Sequence, residues 1–189
     1  MTSDHSNHSI VEQQVRQWLE QVVIGLNLCP FASQPYQAQQ IRFSVSNSQT
    51  AEALLMELAT ELTLLATKPT REIETTLLIT PKMLTAFDEY NQFLNHVDAL
   101  LEQMNYQGVF QVASFHPDYQ FAGTLPEEAE NLTNRSPYPI LHLIREASLE
   151  RVLKHYPNPE NIPDTNIKRV SNLTEQEKQT LFPYLFAPH

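Results

Sequence analysis

The chain has 189 residues, 41% of them hydrophobic and 18% charged, and its formal net charge at pH 7 is −10. This composition is typical of a folded protein, and the length fits one domain. The negative charge, with no run of Lys or Arg, argues against nucleic acid and anionic membranes as partners. We therefore expect no nucleic-acid partner and no membrane partner, and the oligomeric state stays open.

The N-terminal segment MTSDHSNHSI is polar and lacks the apolar core of a signal peptide. No apolar run approaches the about 18 residues of a membrane span. The single cysteine, Cys29, excludes an internal disulfide. Together these features favour a cytoplasmic location. The three glycines, Gly25, Gly108 and Gly123, lie too far apart for a nucleotide-binding glycine motif. The cofactor therefore remains unknown.

A first helix is predicted from apolar residues that recur at helical spacing over residues 11–26. Ser9 and Glu12 match a capping box, so we expect the helix to begin there. Residues 1–8 are then predicted to form a disordered N-terminal tail.

Strands and helices are predicted to alternate through the middle of the chain. The predicted elements are a strand at Ile41–Val45, a helix over about 50–66, a strand at Thr75–Thr80, a helix with an apolar stripe from Phe87 to Met104, and a strand at Val109–Ala113. A last helix is predicted from Ser136, with Pro137 at its first position, to about His155.

This order predicts an α/β fold with a small three- to four-stranded sheet flanked by about four to five helices. A fourth, antiparallel strand over residues 119–122 would make the fold α+β instead. Residues 9–156 form the single globular domain in this interpretation. Residues 157–189 form a proline-rich C-terminal extension with a short helix, since Thr174 and Glu177 repeat the capping pattern.

The connection from Ser114 to Pro139 is the most informative segment for function. Connections longer than about 12–15 residues without structure of their own are uncommon and are often functional. This one begins just past the carboxyl end of a predicted strand, where α/β sheets bind ligands. Its chemically capable side chains are those of His116, Asp118, Tyr119, Arg135 and Ser136.

Three segments carry a resemblance to a known family. VIGLNLCPFA at residues 23–32, SFHPDYQFAG at residues 114–123 and NRSPYP at residues 134–139 resemble a bacterial family of uncharacterised proteins, a domain of unknown function. The resemblance extends from about Glu12 to Ile167. It implies a bacterial protein and supplies no reaction.

Cys29, His116 and Asp118 are the candidate catalytic residues. If Pro30 opens a short helix, Cys29 caps it, and the helix end would lower the pKa of the thiol. The alternative is a buried structural thiol. Asp118, two residues after His116, can fix the histidine tautomer and raise its basicity. The alternative is a turn in which Asp118 accepts hydrogen bonds from local amides.

Arg135 and Ser136 are the candidate anion-binding residues. A guanidinium beside the free amides of a helix start can bind a carboxylate or a phosphate. Alternatively, Arg135 is tied to the carbonyl groups of the loop. Tyr119 and Tyr138 would form the walls of the pocket, or else the core beneath the loop.

His142, Arg145 and Glu146 would share one face of the predicted last helix. His142 and Arg145 would then join the ligand site if that face meets the connection. A metal, if the protein binds one, would use four side chains. These are His116, Asp118, His142 and Glu146. The default interpretation of this helical face is a surface ion-pair network.

The leading hypothesis is a small-molecule enzyme, a hydrolase or transferase, that acts on an anionic metabolite in a Cys/His/Arg pocket. The first alternative is a non-catalytic ligand-sensing or protein-interaction domain, with the apolar segment Leu181–Phe186 as an exposed anchor. The second alternative is a metal-binding protein.

Overall fold

A computed structural model describes the chain from Thr2 to Phe186, with side chains described from Asn7 onward. The strands are β1 (Ile41–Val45), β2 (Thr75–Ile79), β3 (Phe110–Phe115) and β4 (Ile140–Arg145). The α-helices are α1 (Thr2–Trp18), α2 (Ser33–Gln37), α3 (Ala51–Thr67), α4 (Phe87–Gln103), α5 (Glu146–Leu153), α6 (Ile162–Ser171) and α7 (Glu175–Leu181). A π-helical turn at Leu19–Ile24 continues α1, and short 3₁₀ turns lie at Ala129–Thr133, Pro159–Asn161 and Pro183–Leu185.

The strands form one mixed sheet in the order β1-β2-β4-β3. β1 and β2 are parallel, while β4 runs antiparallel to both β2 and β3. The fold is therefore α/β with a four-stranded sheet, which confirms the predicted class. Among residues 2–186 no helix is both long and apolar enough to cross a membrane.

Helices cover both faces of the sheet because side chains alternate between the faces along each strand. On one face, leucines of α3 and the apolar stripe of α4 pack against Leu78, Leu141 and Leu143. On the other face, α1 and its π-helical turn, α6 and the segment after α7 share one apolar cluster with Leu77 and Ile140. The two apolar clusters make the sheet the central layer of the protein.

β4 corrects the prediction of a helix from Ser136 to about His155. Ile140–Arg145 is a strand, and only Glu146–Leu153 is helical. A short apolar run such as ILHLIR fits a strand buried on both faces as well as a helix. Hydrogen bonding to two neighbouring strands decides between them. Residues 119–122, predicted as a fourth strand, form no strand.

The ends of the chain also differ from the prediction. Helix α1 begins at Thr2, so the residues predicted as a disordered tail are helical from there, and Ser9 lies within the helix. The C-terminal extension contains α6 and α7, and the Thr174 capping box is present. Phe182 is fully buried in the apolar cluster that contains α1, so among the large apolar side chains of the predicted anchor at Leu181–Phe186 only Phe186 is exposed.

Gly25 allows the chain to leave the π-helical turn. A Cβ at this position would lie 2.2 Å from the backbone oxygen of Gln21, which is far inside van der Waals contact. The close approach arises because the amide of Gly25 bonds to the carbonyl of Glu20, five residues back. Only glycine fits at this position. Leu19 and Val23 belong to the same π-helical turn.

We expect Gly25→Ala to lower the free energy of unfolding by about 3 kcal/mol, because the methyl group meets backbone atoms that cannot move aside cheaply. Urea unfolding followed by circular dichroism measures the loss. The matched control is Gly123→Ala, where a Cβ meets nothing within 4 Å and only the positive φ is costly. We expect about 1 kcal/mol there. An equal cost at both glycines would contradict the steric account.

Candidate functional site

A cavity of about 620 Å³ opens on the sheet face that carries α1, at the amino ends of β1 and β2. Cavities that bind small molecules usually have volumes of about 300–1,000 Å³. The floor comes from the sheet. Its residues are Ile41, Thr75, Leu77, Ala113, Phe115, His142 and Ile144. The walls come from Trp18, Leu19, Val23, from residues 29–35, and from Leu149 and Val152 of α5.

Many of the apolar side chains that line the cavity are only half-buried, whether they belong to the sheet or to α5. Ile41, Ile144, Leu149 and Val152 are all partly exposed, whereas Leu141 and Leu143 on the opposite face are fully buried. Apolar surface left open to water inside a concave site is typical of a ligand pocket. The shape and the lining therefore both favour a ligand with an apolar body.

His142 is the titratable residue on the floor of the cavity. Its Nε2 atom lies 2.8 Å from Thr75 Oγ1, which donates its hydrogen to the carbonyl of Leu143 at 2.5 Å. Burial lowers the pKa of His142 to about 4. The imidazole is therefore neutral near pH 7, and its ring tilts against Phe115 at a centroid distance of 6.2 Å.

Cys29 lines the same cavity as His142. Burial raises the pKa of its thiol, and this outweighs the opposite effect of backbone hydrogen bonds with Phe31 and Ala32. The expected lowering of the thiol pKa by a helix end is therefore wrong. The segment after Cys29 forms turns before α2 begins at Ser33, so no helix starts at Pro30.

Three arginines and one glutamate, Glu74, contribute to the lining of the cavity. Arg71 and Arg151 are exposed, and Arg151 also donates to Ser148 Oγ at 2.8 Å. Arg145 differs, because its side chain is turned to the other face of the sheet. There its Nη2 lies 2.5 Å, 2.8 Å and 3.0 Å from three carbonyl oxygens near the carboxyl end of α3. Arg145 thus anchors that helix end, where a cation is favourable.

His116 lies away from the cavity. It follows Phe115 in β3, so alternation turns it to the opposite face, where it is fully buried against Phe87 and Tyr90. Its Nδ1 accepts from the amide of Asp118 at 2.9 Å, and its Nε2 donates to the carbonyl of Leu84 at 3.0 Å. Burial lowers the pKa of His116. Both ring nitrogens are therefore occupied by bonds to the backbone, one at Leu84 and one at Asp118.

Arg135 also bonds to the connection itself. Its Nε donates to the carbonyl of Tyr119 at 3.2 Å and its Nη2 to that of Pro126 at 2.6 Å. Ser136 is buried and donates to the carbonyl of Tyr138 at 2.6 Å, and it starts no helix. The Tyr119 ring packs against Phe87 and Phe121, and the Tyr138 hydroxyl donates to Gln14 Oε1 at 2.5 Å.

The structure therefore places Cys29, His142 and Arg145 around one cavity, but it does not bring the predicted site residues of the connection into it. Within the described part of the chain, no three His, Cys, Asp or Glu side chains group closely enough to hold a metal ion. The prediction that His142 and Glu146 share a helical face is wrong, because β4 ends at Arg145 and α5 begins at Glu146.

Sequence reasoning missed Thr75, Arg71 and Arg151. A polar residue at the start of the buried strand TTLLIT was a usable signal for Thr75, because a buried hydroxyl needs a partner. No comparable signal marks Arg71 or Arg151, whose positions beside the cavity depend on how the loop before β2 and helix α5 pack.

The fold and the cavity define an α/β protein with a ligand-sized cavity on one face of a mixed sheet. The chain belongs to the family described as protein of unknown function (DUF1415), which matches residues 10–180. This confirms the predicted resemblance to a family without an assigned reaction. Comparison with curated proteins and with solved structures finds no match.

We expect the low pKa of His142 to appear as acid sensitivity. The unfolded chain takes up a proton at His142 below about pH 6.5, whereas the folded protein stays neutral there to about pH 4. The contribution of this residue to stability is therefore fully present above pH 6.5 and is lost as the pH falls toward 4. Urea unfolding at several pH values should show a steeper loss for the wild type than for His142→Gln. Parallel losses would contradict the assignment.

Proposed function

We propose that this protein binds a small anionic molecule with an apolar body in the cavity on the α1 face of the sheet. The observation that carries this proposal is the cavity itself, a space of about 620 Å³ with mainly apolar walls. A water-filled apolar space of this size is costly, and a ligand that displaces the water regains the hydrophobic free energy.

The charge balance around the cavity supports an anion. The whole chain carries a formal charge of −10, so anions are repelled from most of its surface. Beside the cavity, however, the exposed Arg71 and Arg151 outnumber Glu74. This local reversal favours an anionic group on the part of the ligand that lies nearest the solvent, with the apolar part directed toward the floor.

The fluorescent anion 8-anilinonaphthalene-1-sulfonate is a suitable probe, since it combines a sulfonate with an aromatic body. We expect saturable binding that Ala113→Phe weakens by about tenfold, because the new ring fills part of the floor. The matched control is Ala66→Phe on the exposed side of α3. The paired change Arg71→Gln and Arg151→Gln should weaken binding and reduce its salt dependence.

Equal binding by the wild type and by Ala113→Phe would place the probe outside the cavity and contradict the proposal. Circular dichroism and urea unfolding of each variant establish that any loss of binding is not a loss of fold. Binding that weakens in Ala113→Phe but is unaffected by the paired arginine changes would retain the cavity and remove the anion preference.

Hydrolysis or group transfer on the bound molecule is the second candidate function. The observation that favours it is the neutral His142 on the cavity floor, with Cys29 lining the same space. A positioned neutral imidazole can act as a general base. The alternative is a non-catalytic ligand-sensing domain, which would use the same cavity without turnover.

Hydrolysis of 4-nitrophenyl butyrate tests the catalytic version. We expect turnover above the buffer rate, lowered about 100-fold by His142→Gln, because a general base contributes on this order. His155→Gln is the matched control, since His155 is exposed on the chain after α5. No turnover by the wild type, or the same turnover in His142→Gln, would leave binding without hydrolysis.

A further inference from the structure

The hydrogen bonds around His142 determine which of its nitrogens carries the proton. Thr75 Oγ1 has a single hydrogen, and its 2.5 Å distance to the Leu143 carbonyl oxygen requires that hydrogen between the two oxygens. Thr75 Oγ1 can then only accept from the imidazole, at 2.8 Å. Nε2 is therefore the protonated nitrogen, and Nδ1 carries a free lone pair.

The Nδ1 atom is left without a partner on a residue that lines the cavity. It has no hydrogen-bond partner among residues 2–186. It is also absent from the unpaired polar atoms of those residues that solvent cannot reach, so solvent reaches Nδ1. Those atoms are Thr76 Oγ1, Arg145 Nε and Asn166 Oδ1. His142 itself lines the cavity beside Ala113 and Leu77, its partners in the neighbouring strands. An unpaired acceptor therefore lies on a floor that is apolar apart from His142 and Thr75.

We propose that His142 Nδ1 selects a ligand that presents a neutral O–H or N–H donor at the end opposite its anionic group. This inference rests on the proposed function, because the donor must belong to a molecule held in the cavity. An ionised carboxylate cannot occupy this position, since both of its oxygens are acceptors and would face the lone pair of Nδ1. The ligand class is thus an apolar acid that carries a hydroxyl or an uncharged N–H group.

The two ends of such a molecule have separate sites. Ile144, the next residue of β4 that faces the cavity, lies about 7 Å further along the strand toward α5, since a strand rises about 3.4 Å per residue. The exposed Arg151 lies on α5 and Arg71 on the loop before β2. The donor end of the ligand is therefore placed at mid-strand, and the anionic end beyond the strand ends, where β2 begins and β4 leads into α5.

A pair of probes that differ only in the donor tests the inference. 3-(4-Hydroxyphenyl)propionate and 3-phenylpropionate share the acid and the ring, and isothermal titration calorimetry measures the affinity of both. We expect the hydroxylated acid to bind the wild type about tenfold more tightly, the preference that one buried hydrogen bond supplies. His142→Phe should abolish this preference, whereas His96→Phe, at an exposed position of α4, should retain it.

Thr75 is a positioning residue in this arrangement, and Thr75→Val keeps its shape while removing the hydroxyl. We expect this variant to lose most of the preference for the hydroxylated acid without losing affinity for 3-phenylpropionate. A merely structural role of Thr75 would change both affinities together.

The tautomer gives a measurement that does not depend on either probe. Nitrogen-15 NMR of the His142 ring at pH 7 should show a protonated Nε2 and an unprotonated Nδ1. A protonated Nδ1 would overturn the inference, and so would equal affinities of the wild type for the two acids. In the latter case the proposed cavity function would stand. Binding of neither acid at 10 mM would count against the proposed function, and the inference would fall with it.

Discussion

The insertion of β4 between β2 and β3 is the constraint on which the rest of the structure depends. Antiparallel pairing on both sides satisfies the backbone of β4, and its alternating side chains serve the two faces of the sheet. Leu141 and Leu143 complete the core beneath α3 and α4, while His142 and Ile144 form part of the cavity floor. The same six residues therefore supply a central strand of the sheet, part of the core and His142, which with Thr75 makes up the polar groups of the cavity floor described above.

Closing the connection between β3 and β4 requires many of its polar groups. Phe115 and Ile140 are paired across the two strands, so the chain between them must leave and return to the same place. The amide of His116 donates to the carbonyl of Asn134 at 3.2 Å, and the amide of Ser136 donates to the carbonyl of His116 at 3.4 Å. These bonds, with those of the His116 ring, offset the entropy of closing a long loop. Trp18 and Tyr184 both donate to the carbonyl of Arg135, which ties this loop to α1 and to the C-terminal segment.

The sequence allowed the strand–helix alternation to be predicted up to β3, because α3 and α4 have apolar stripes and β1 and β2 are bounded by polar or proline residues. It did not distinguish the strand ILHLIR from a helix, since both faces of that strand are apolar and only pairing decides. Cys29 and His142 could be named as candidate site residues, but for different reasons than the structure shows. His116 and Arg135 have side chains that can serve catalysis or hold a loop closed. The sequence shows that these side chains could serve either role, but it does not show which groups they contact in the folded chain.

The cavity exists because the helices cover the two faces of the sheet unequally. On the face of α3 and α4, four leucines of one helix and the stripe of the other bury Leu78, Leu141 and Leu143 completely. On the other face, α1 turns aside through the π-helical turn, and Gly25 permits the close backbone approach that this requires. α5 is too short to close the gap that remains above Ile41 and Ile144. The floor of the cavity is thus as apolar as the core, but its side chains are less buried than those of the core. A bound molecule with an apolar body would supply the missing layer, and the neutral His142 would give that molecule a fixed orientation.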